Sequence, residues 1–223
     1  YKGGEDAGKR RVQHYFFESK LVSTYKETRN GLLGLDYSTK FSLWLAHGCL
    51  SARYIYHQLK SYEDRFGAND STYWVYFELL WRDYFKFLFK KNGNAYFKMH
   101  GLKKVPFISA IHNAEAFELW KKGLTGVPFI DANMRELINT GFMSNRGRQN
   151  VASFLVHDLG IPWLYGAHFF EEQLIDYDVC SNYGNWAYVA GVGNDPRPNR
   201  IFNISKQAKD YDPKATFMRY WLP

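Results

Sequence analysis

From Asp70 to about Lys91 the chain has no glycine or proline, and its large apolar residues return every three or four positions: Trp74, Phe77, Leu80, Trp81, Tyr84, Phe85 and Leu88. That period belongs to an amphipathic helix and is incompatible with a strand, whose faces alternate every second residue. Asp70 or Ser71 is placed to cap its start. No stretch alternates polar and apolar residues long enough to make a sheet, and no internal repeat occurs. The expected fold class is therefore all-α.

Other helices read less sharply. Arg10 to about Thr28 carries Val12, Tyr15, Phe16, Leu21 and Val22 roughly on one side. Ser51 is a plausible N-cap for a helix holding Tyr54, Ile55, Leu59 and Tyr62. After a loop from Gly101 to Pro106, short helices are expected at about Ala114–Lys121 and Ala132–Thr140. A further one spans Asn145–Leu159, closed by Gly160 and Pro162, and an aromatic one covers residues 163–175. The tail from Gly191 is rich in Asp, Pro and Asn. Residues 1–9, with Gly3, Gly4 and Gly8 among charged residues, read as a linker remnant, leaving 10–223 as one domain.

The 223 residues suffice for one large core. Aromatic residues make 19%, more than a core needs, and the formal net charge is +7. Cations with abundant rings are the footprint of a nucleic-acid surface, although a basic protein with no special partner has the same balance. Cys49 and Cys180 form no disulfide framework or metal motif, and the seven histidines show no ligand spacing, so no metal is expected. No apolar run reaches the length of a membrane span. The expectation is a soluble intracellular monomer, cytoplasmic in a bacterium and organellar or nuclear in a eukaryote.

Polar residues concentrate in a few places. Glu78, Trp81 and Arg82 share a helix face: either an ordinary Glu–Arg pair beside a core tryptophan, or a carboxylate and an indole facing a cavity. Ser38, Thr39, Lys40, Phe41 and Ser42 form a hydroxyl-rich loop entering a helix, suited to phosphate or merely to capping. Asp176 and Asp178 are close enough to repel unless a guanidinium intervenes, and Arg148 is the natural partner. That pair is structural or part of a polar site. Buried groups of this kind need partners, supplied by one another or by a ligand.

Taken together, the stretches Ser23–Gly31, Leu35–Ser42, Phe77–Phe85, Asp131–Leu137, Phe142–Gln149, Asp176–Trp186 and Gly191–Arg197 resemble the helical FAD-binding domain of the photolyase and cryptochrome family, on the cryptochrome DASH branch. The resemblance implies FAD folded into a U-shape within an all-helical domain. Tyr25, Ser38, Thr39, Lys40, Phe41 and Ser42 would hold its phosphates and ribitol. Arg82, Asn145, Arg148, Asp176, Asp178 and Asn182 would surround its rings, with Asn182 at flavin N5. Glu78, Trp81, Asn145, Gln149 and Tyr188 would line a pocket for a flipped-out pyrimidine dimer, with Glu78, Trp81 and Asn182 closest to the chemistry.

The activity implied is blue-light-driven splitting of cyclobutane pyrimidine dimers, by an electron from excited reduced flavin and preferentially in single-stranded DNA. The competing expectations are a photoreceptor that binds DNA or a partner without efficient repair, and a flavin-free basic DNA-binding domain. The family's N-terminal α/β antenna domain is absent from this sequence, so no antenna folate is expected on it. Trp186 and Trp163 match the inner two members of the family's electron relay. The outer position falls near Ala110, which is no donor, and Trp120 is the expected substitute.

Overall fold

The computed structural model describes residues 1–103, 113–195 and 201–222, which are helical with no strand. The positions around Ala110, and Pro196 and Arg197 of the last motif, lie outside the described residues. Contacts divide the chain within its longest helix into two units, Tyr1–Tyr84 and Phe85–Pro223.

In the first unit a helix already occupies Glu5–Gln13 (α1). Residues 5–9 are thus not linker. Glu5 and Asp6 lie in its first turn and Arg10 and Arg11 in its last, matching the helix dipole. Gly8 is there for close packing, because a Cβ would stand 2.8 Å from Leu50 Cγ and 3.0 Å from the Trp44 ring. The expected continuous helix from Arg10 to Thr28 is broken instead. A π turn follows at His14–Glu18, then Lys20 in the left-handed region at φ 54°, a 3₁₀ turn at Leu21–Thr24 and a single helical turn, α2 (Tyr25–Thr28). The Ser19 N–H and hydroxyl both donate to the His14 carbonyl, at 2.9 and 2.7 Å, which closes the π turn and ends the helix.

Next come α3 (Ser42–Ala46) and α4 (Ala52–Phe66), the latter capped by Ser51, whose hydroxyl accepts from the Tyr54 N–H at 3.1 Å. The long helix α5 spans Asp70–Asn92. Its cap is one residue earlier than expected: Asn69 Oδ1 accepts from the Thr72 N–H at 2.9 Å while Thr72 Oγ1 accepts from the Asn69 N–H at 3.1 Å. Ser71 instead ties α5 to α2, accepting from the Lys26 N–H and donating to Glu27. The core of this unit is aromatic: Phe16 meets Phe41 at 5.6 Å and Tyr62 at 6.4 Å between ring centroids.

The second unit opens with a 3₁₀ turn at Gly93–Phe97, followed by α6 (Ala114–Lys122) and α7 (Pro128–Thr140). Helix α7 starts four residues before expectation, because Pro128 occupies its first turn, where a missing N–H costs nothing. Then come α8 (Asn145–Ser153), a second π turn at Phe154–Asp158, and α9 (Trp163–Gln173). Helices α10 (Val179–Val189), α11 (Ile204–Tyr211) and α12 (Thr216–Trp221) had no sequence expectation. The core gathers Trp120, Trp163, Trp186, Phe170, Leu155 and Met134, all nearly or fully buried.

Helices α9 and α10 meet at Gly166, where the Trp186 ring lies against the α9 backbone. An alanine Cβ at that position would also come within 2.6 Å of Leu155 Cδ2. Helix propensity favours alanine by about 1 kcal/mol, whereas overpacking a filled core costs about 1–3 kcal/mol. Packing should win, so Gly166→Ala is expected to lower the urea midpoint, with a loss of up to about 2 kcal/mol. An unchanged or raised midpoint would show that this seam opens freely.

Candidate functional site

The first unit holds the hydroxyl loop, and one residue that the sequence reading missed shapes it. Arg11 on α1 donates from Nη2 to the carbonyls of Leu35 (3.0 Å) and Ser38 (2.9 Å), and from Nε to that of Thr39 (3.0 Å). Its Nη1 meets Asp36 Oδ1 at 2.6 Å, and this contact holds the Asp36 carboxyl below its usual pKa. In a planar trans peptide the N–H points opposite to the carbonyl before it. With the Ser38 and Thr39 carbonyls turned toward Arg11, the Thr39 and Lys40 N–H groups face away from it. Lys40 is buried in the left-handed region at φ 60°, with Nζ 3.3 Å from the centroid of the Tyr37 ring. Helix α3 has only five residues. Loop geometry, with little help from a helix dipole, therefore makes this segment an anion-binding candidate.

On α5 the expected face forms with a different partner. Glu78 is bound by Arg29, whose guanidinium also lies 4.4 Å over the Trp74 ring. Arg82, the partner that helix spacing offered, donates instead to the Leu45 carbonyl at 3.2 Å. Burial pushes the Glu78 carboxyl above its ordinary pKa, and Arg29 opposes that shift. Tyr25, also buried, has its hydroxyl pKa pushed up by burial and then by the nearby Glu78 charge. One turn on, Trp81 lines an apolar groove of about 270 Å³ with Phe77, Leu80 and Tyr84.

In the second unit Arg148 and Asp176 do pair. One nitrogen, Nη2, reaches both carboxylate oxygens at 2.9 Å, while Nε donates to the Met143 carbonyl at 2.9 Å. Asp178 caps α10, accepting from the Ser181 N–H at 2.9 Å. Asn145, exposed, begins α8 behind the cap Ser144, and Gln149 accepts from Arg146 at 3.0 Å. Asn182 is buried and donates from Nδ2 to the Ala167 carbonyl at 2.9 Å. That bond fixes the amide, so Oδ1, a pure acceptor, is the end left for a ligand. Trp186 follows four residues later on the same face of α10. Tyr188 is half-buried near the end of α10.

The tryptophans fall into two groups. Trp120 lies 6.3 Å from Trp186 between ring centroids, is fully buried, and donates to the Val151 carbonyl. It is a neighbour of the inner tryptophan and has no exposure to serve as an outer terminus. Trp163 donates to the Met99 carbonyl at 3.0 Å and meets Tyr183 edge-on at 6.4 Å. Among the described residues no cluster of His, Cys, Asp and Glu is arranged to hold a metal. None of their helices is long and apolar enough to cross a membrane.

Two stability predictions follow from the paired charges. Removing one partner of a buried pair costs about 3–5 kcal/mol because the other charge is left unpaired. Asp176 is 5% exposed, so Arg148→Met should lose about 3 kcal/mol in urea unfolding and Arg148→Met/Asp176→Leu should regain most of it. A single variant as stable as the parent would show that Asp176 is effectively solvated. For Glu78, a folded-state pKa above the unfolded value stabilises at low pH, and that contribution fades as pH rises through the folded pKa. The parent's stability relative to Glu78→Gln should therefore fall as pH rises through and beyond the ordinary carboxylate range. A difference that grew with pH would mean that Arg29, and not burial, controls the group.

The description "FAD binding domain of DNA photolyase" matches residues 74–223. The chain is 61% identical to cryptochrome DASH of Danio rerio, over 100% of its own length and 42% of that protein. The solved cryptochrome of Synechocystis sp. PCC6803 superposes with a TM-score of 0.96 at 58% identity, covering 100% of this chain and 46% of that one. A photolyase of Sulfolobus tokodaii, solved with two FAD molecules, superposes at 0.82 with 32% identity, covering 100% and 47%. The chain thus spans less than half the length of each of these relatives.

Proposed function

Because this chain belongs to the photolyase and cryptochrome family, carrying its FAD-binding helical domain, we propose that it binds FAD and uses blue light to split cyclobutane pyrimidine dimers in single-stranded DNA. The observation that carries the reading is on α10. Asn182 is pinned by Ala167 with its acceptor oxygen left over, and the buried Trp186 stands one turn away on the same face. An acceptor amide beside an indole suits a flat redox ring whose nitrogen gains and loses a proton.

The donor sets on each unit fit the chemistry of FAD. In the first unit, Lys40, the Thr39 and Lys40 N–H groups and the hydroxyls of Ser38, Thr39 and Ser42 suit a diphosphate. In the second, Arg148, Asp176 and Asn182 suit the polar edges of the rings. Tyr25, Phe41, Arg82, Asn145 and Asp178 complete the proposed set. When bound, the flavin supplies the light absorption and the transferable electron; the protein holds it, excludes water and presents the substrate. Trp81, with Tyr188, offers a ring face to an unstacked base, an interaction of about 1–3 kcal/mol. Glu78 would accept a hydrogen bond from the dimer, and Gln149 and Asn145 are proposed as further contacts to it.

A second reading is favoured by one contact: Glu78 is already taken by Arg29. If no substrate displaces that arginine, the domain absorbs light without repairing, as a photoreceptor would.

The deciding experiment purifies the protein, records its absorption spectrum and assays blue-light repair of a dimer in single-stranded and duplex DNA. The expected outcome is one FAD per chain, repair favouring the single strand, and weaker DNA binding as salt is raised. Glu78→Gln should keep its FAD and lose about tenfold in repair, the worth of a hydrogen bond to a charged group. A yellow protein with no repair supports the photoreceptor; a colourless one ends both readings.

A further inference from the structure

The described part of the tryptophan series has no solvent-facing end: Trp120, Trp163 and Trp186 are each at most 3% exposed. A neighbouring tyrosine has what they lack. Tyr183, on α10, is 3% exposed, and its ring stands edge-on to Trp163 at 6.4 Å between centroids. Its hydroxyl donates to Glu171 Oε2 at 2.7 Å. Glu171, on the neighbouring α9, is exposed to water. Phe97 covers the ring from another side at 4.9 Å, and His168 touches its edge at 5.9 Å.

We propose that Tyr183 and Glu171 act together as a proton-coupled electron donor to Trp163, a redox-active tyrosine that gives the relay its outlet. The proposal rests on the flavin photochemistry above for its oxidant: excited oxidised flavin, when bound, is the one-electron oxidant that leaves an indole radical cation at Trp163. From there the step concerns this chain alone. One electron passes from Tyr183 to Trp163, the O–H bond of Tyr183 breaks, and an O–H bond forms on the Glu171 carboxylate. The products are neutral indole, a neutral tyrosyl radical and a protonated carboxyl, which returns its proton to water.

The contrast with Trp120 shows why this residue is chosen. The Trp120 N–H faces the Val151 carbonyl, which cannot take a proton, so oxidation there would leave a buried positive charge. Tyr183 ends neutral because its proton has a base to go to and an exit to solvent. Return of the electron then requires return of the proton, which prolongs the separated state. Burial, and next the hydrogen bond to Glu171, push the Tyr183 phenol above its ordinary pKa. The resting phenol therefore keeps the proton that the step moves, already hydrogen-bonded to Glu171. Tyr177, which also leans on Glu171, does not contact Trp163 in any ring pair of the described residues.

The test uses the whole chain without flavin, so that it is independent of FAD binding. An ultraviolet pulse photoionises indoles directly, buried ones included, and the broad indole-radical absorption is followed as it converts to the narrow tyrosyl band. The expected result is a tyrosyl signal that drops in Tyr183→Phe and drops equally in Trp163→Phe, with no further loss in the double variant. Glu171→Gln, an exposed change that keeps the fold, should slow the conversion by about 100-fold, the contribution of a positioned base. The parent, but not Glu171→Gln, should slow in D₂O. An undiminished tyrosyl signal in Tyr183→Phe overturns the proposal, as does a Trp163→Phe protein that converts like the parent. A flavin-loaded sample excited in blue light should then show the same tyrosyl band, lost in Tyr183→Phe. Failure to load FAD would refute the proposed function while leaving the ultraviolet result to stand by itself.

Discussion

The close approach of α9 to α10 is the constraint on which the second unit depends. Gly166 lets the Trp186 indole lie on the α9 backbone, and Gly184, two residues earlier on α10, admits the Phe85 ring. Once the helices are that near, Asn182 reaches the Ala167 carbonyl and Tyr183 reaches Glu171. A bulkier residue at Gly166 would push the two helices apart and strain both bonds together. The amide, the indole and the phenol are thus set by the same seam, although they are proposed to do three different things.

Guanidiniums organise much of the rest. Arg11, Arg29 and Arg148 each bind a carboxylate, and two of them also take backbone carbonyls. Their value is orientation more than stability. A buried ion pair roughly breaks even against an apolar substitute once desolvation is counted, yet it fixes which way each partner points. Arginine suits this work because its rigid fork of donors serves several acceptors at once, which a lysine ammonium on a flexible stem does not do.

The parts of this architecture that were legible in the sequence are those written locally. Helix α5 announces itself through its period. Helix α8 does so through its close at Gly160 and Pro162. Helix α10 was hidden because Ser181, Asn182, Gly184 and Asn185 are poor helix formers, and only the Asp178 cap and the α9 seam make it helical. Glycines disguised α1, whose Gly8 is there for packing. In the candidate site the Arg148–Asp176 pair was legible because two close carboxylates call for a guanidinium. The Arg29–Glu78 pair and the hold of Arg11 on the loop were not. Their partners lie 49 and 24–28 residues apart, beyond any spacing rule. The FAD assignments came from family likeness and not from such rules.

The two π turns, at His14–Glu18 and Phe154–Asp158, have a consequence for how a single rod meets its surroundings. Each is the closing turn of its helix, in which a backbone N–H reaches the carbonyl five residues back instead of four, Ser19 to His14 and Leu159 to Phe154. Val12 before the first turn and Tyr15 and Phe16 within it are all buried, as are Val151 and Ala152 before the second and Leu155 and Val156 within it. Those are spacings of three and four, so the apolar stripe runs unbroken into each closing turn. A helix closed in this way keeps its apolar face covered to its last turn and then releases the chain at once through a left-handed residue, Lys20 in one case and Gly160 in the other.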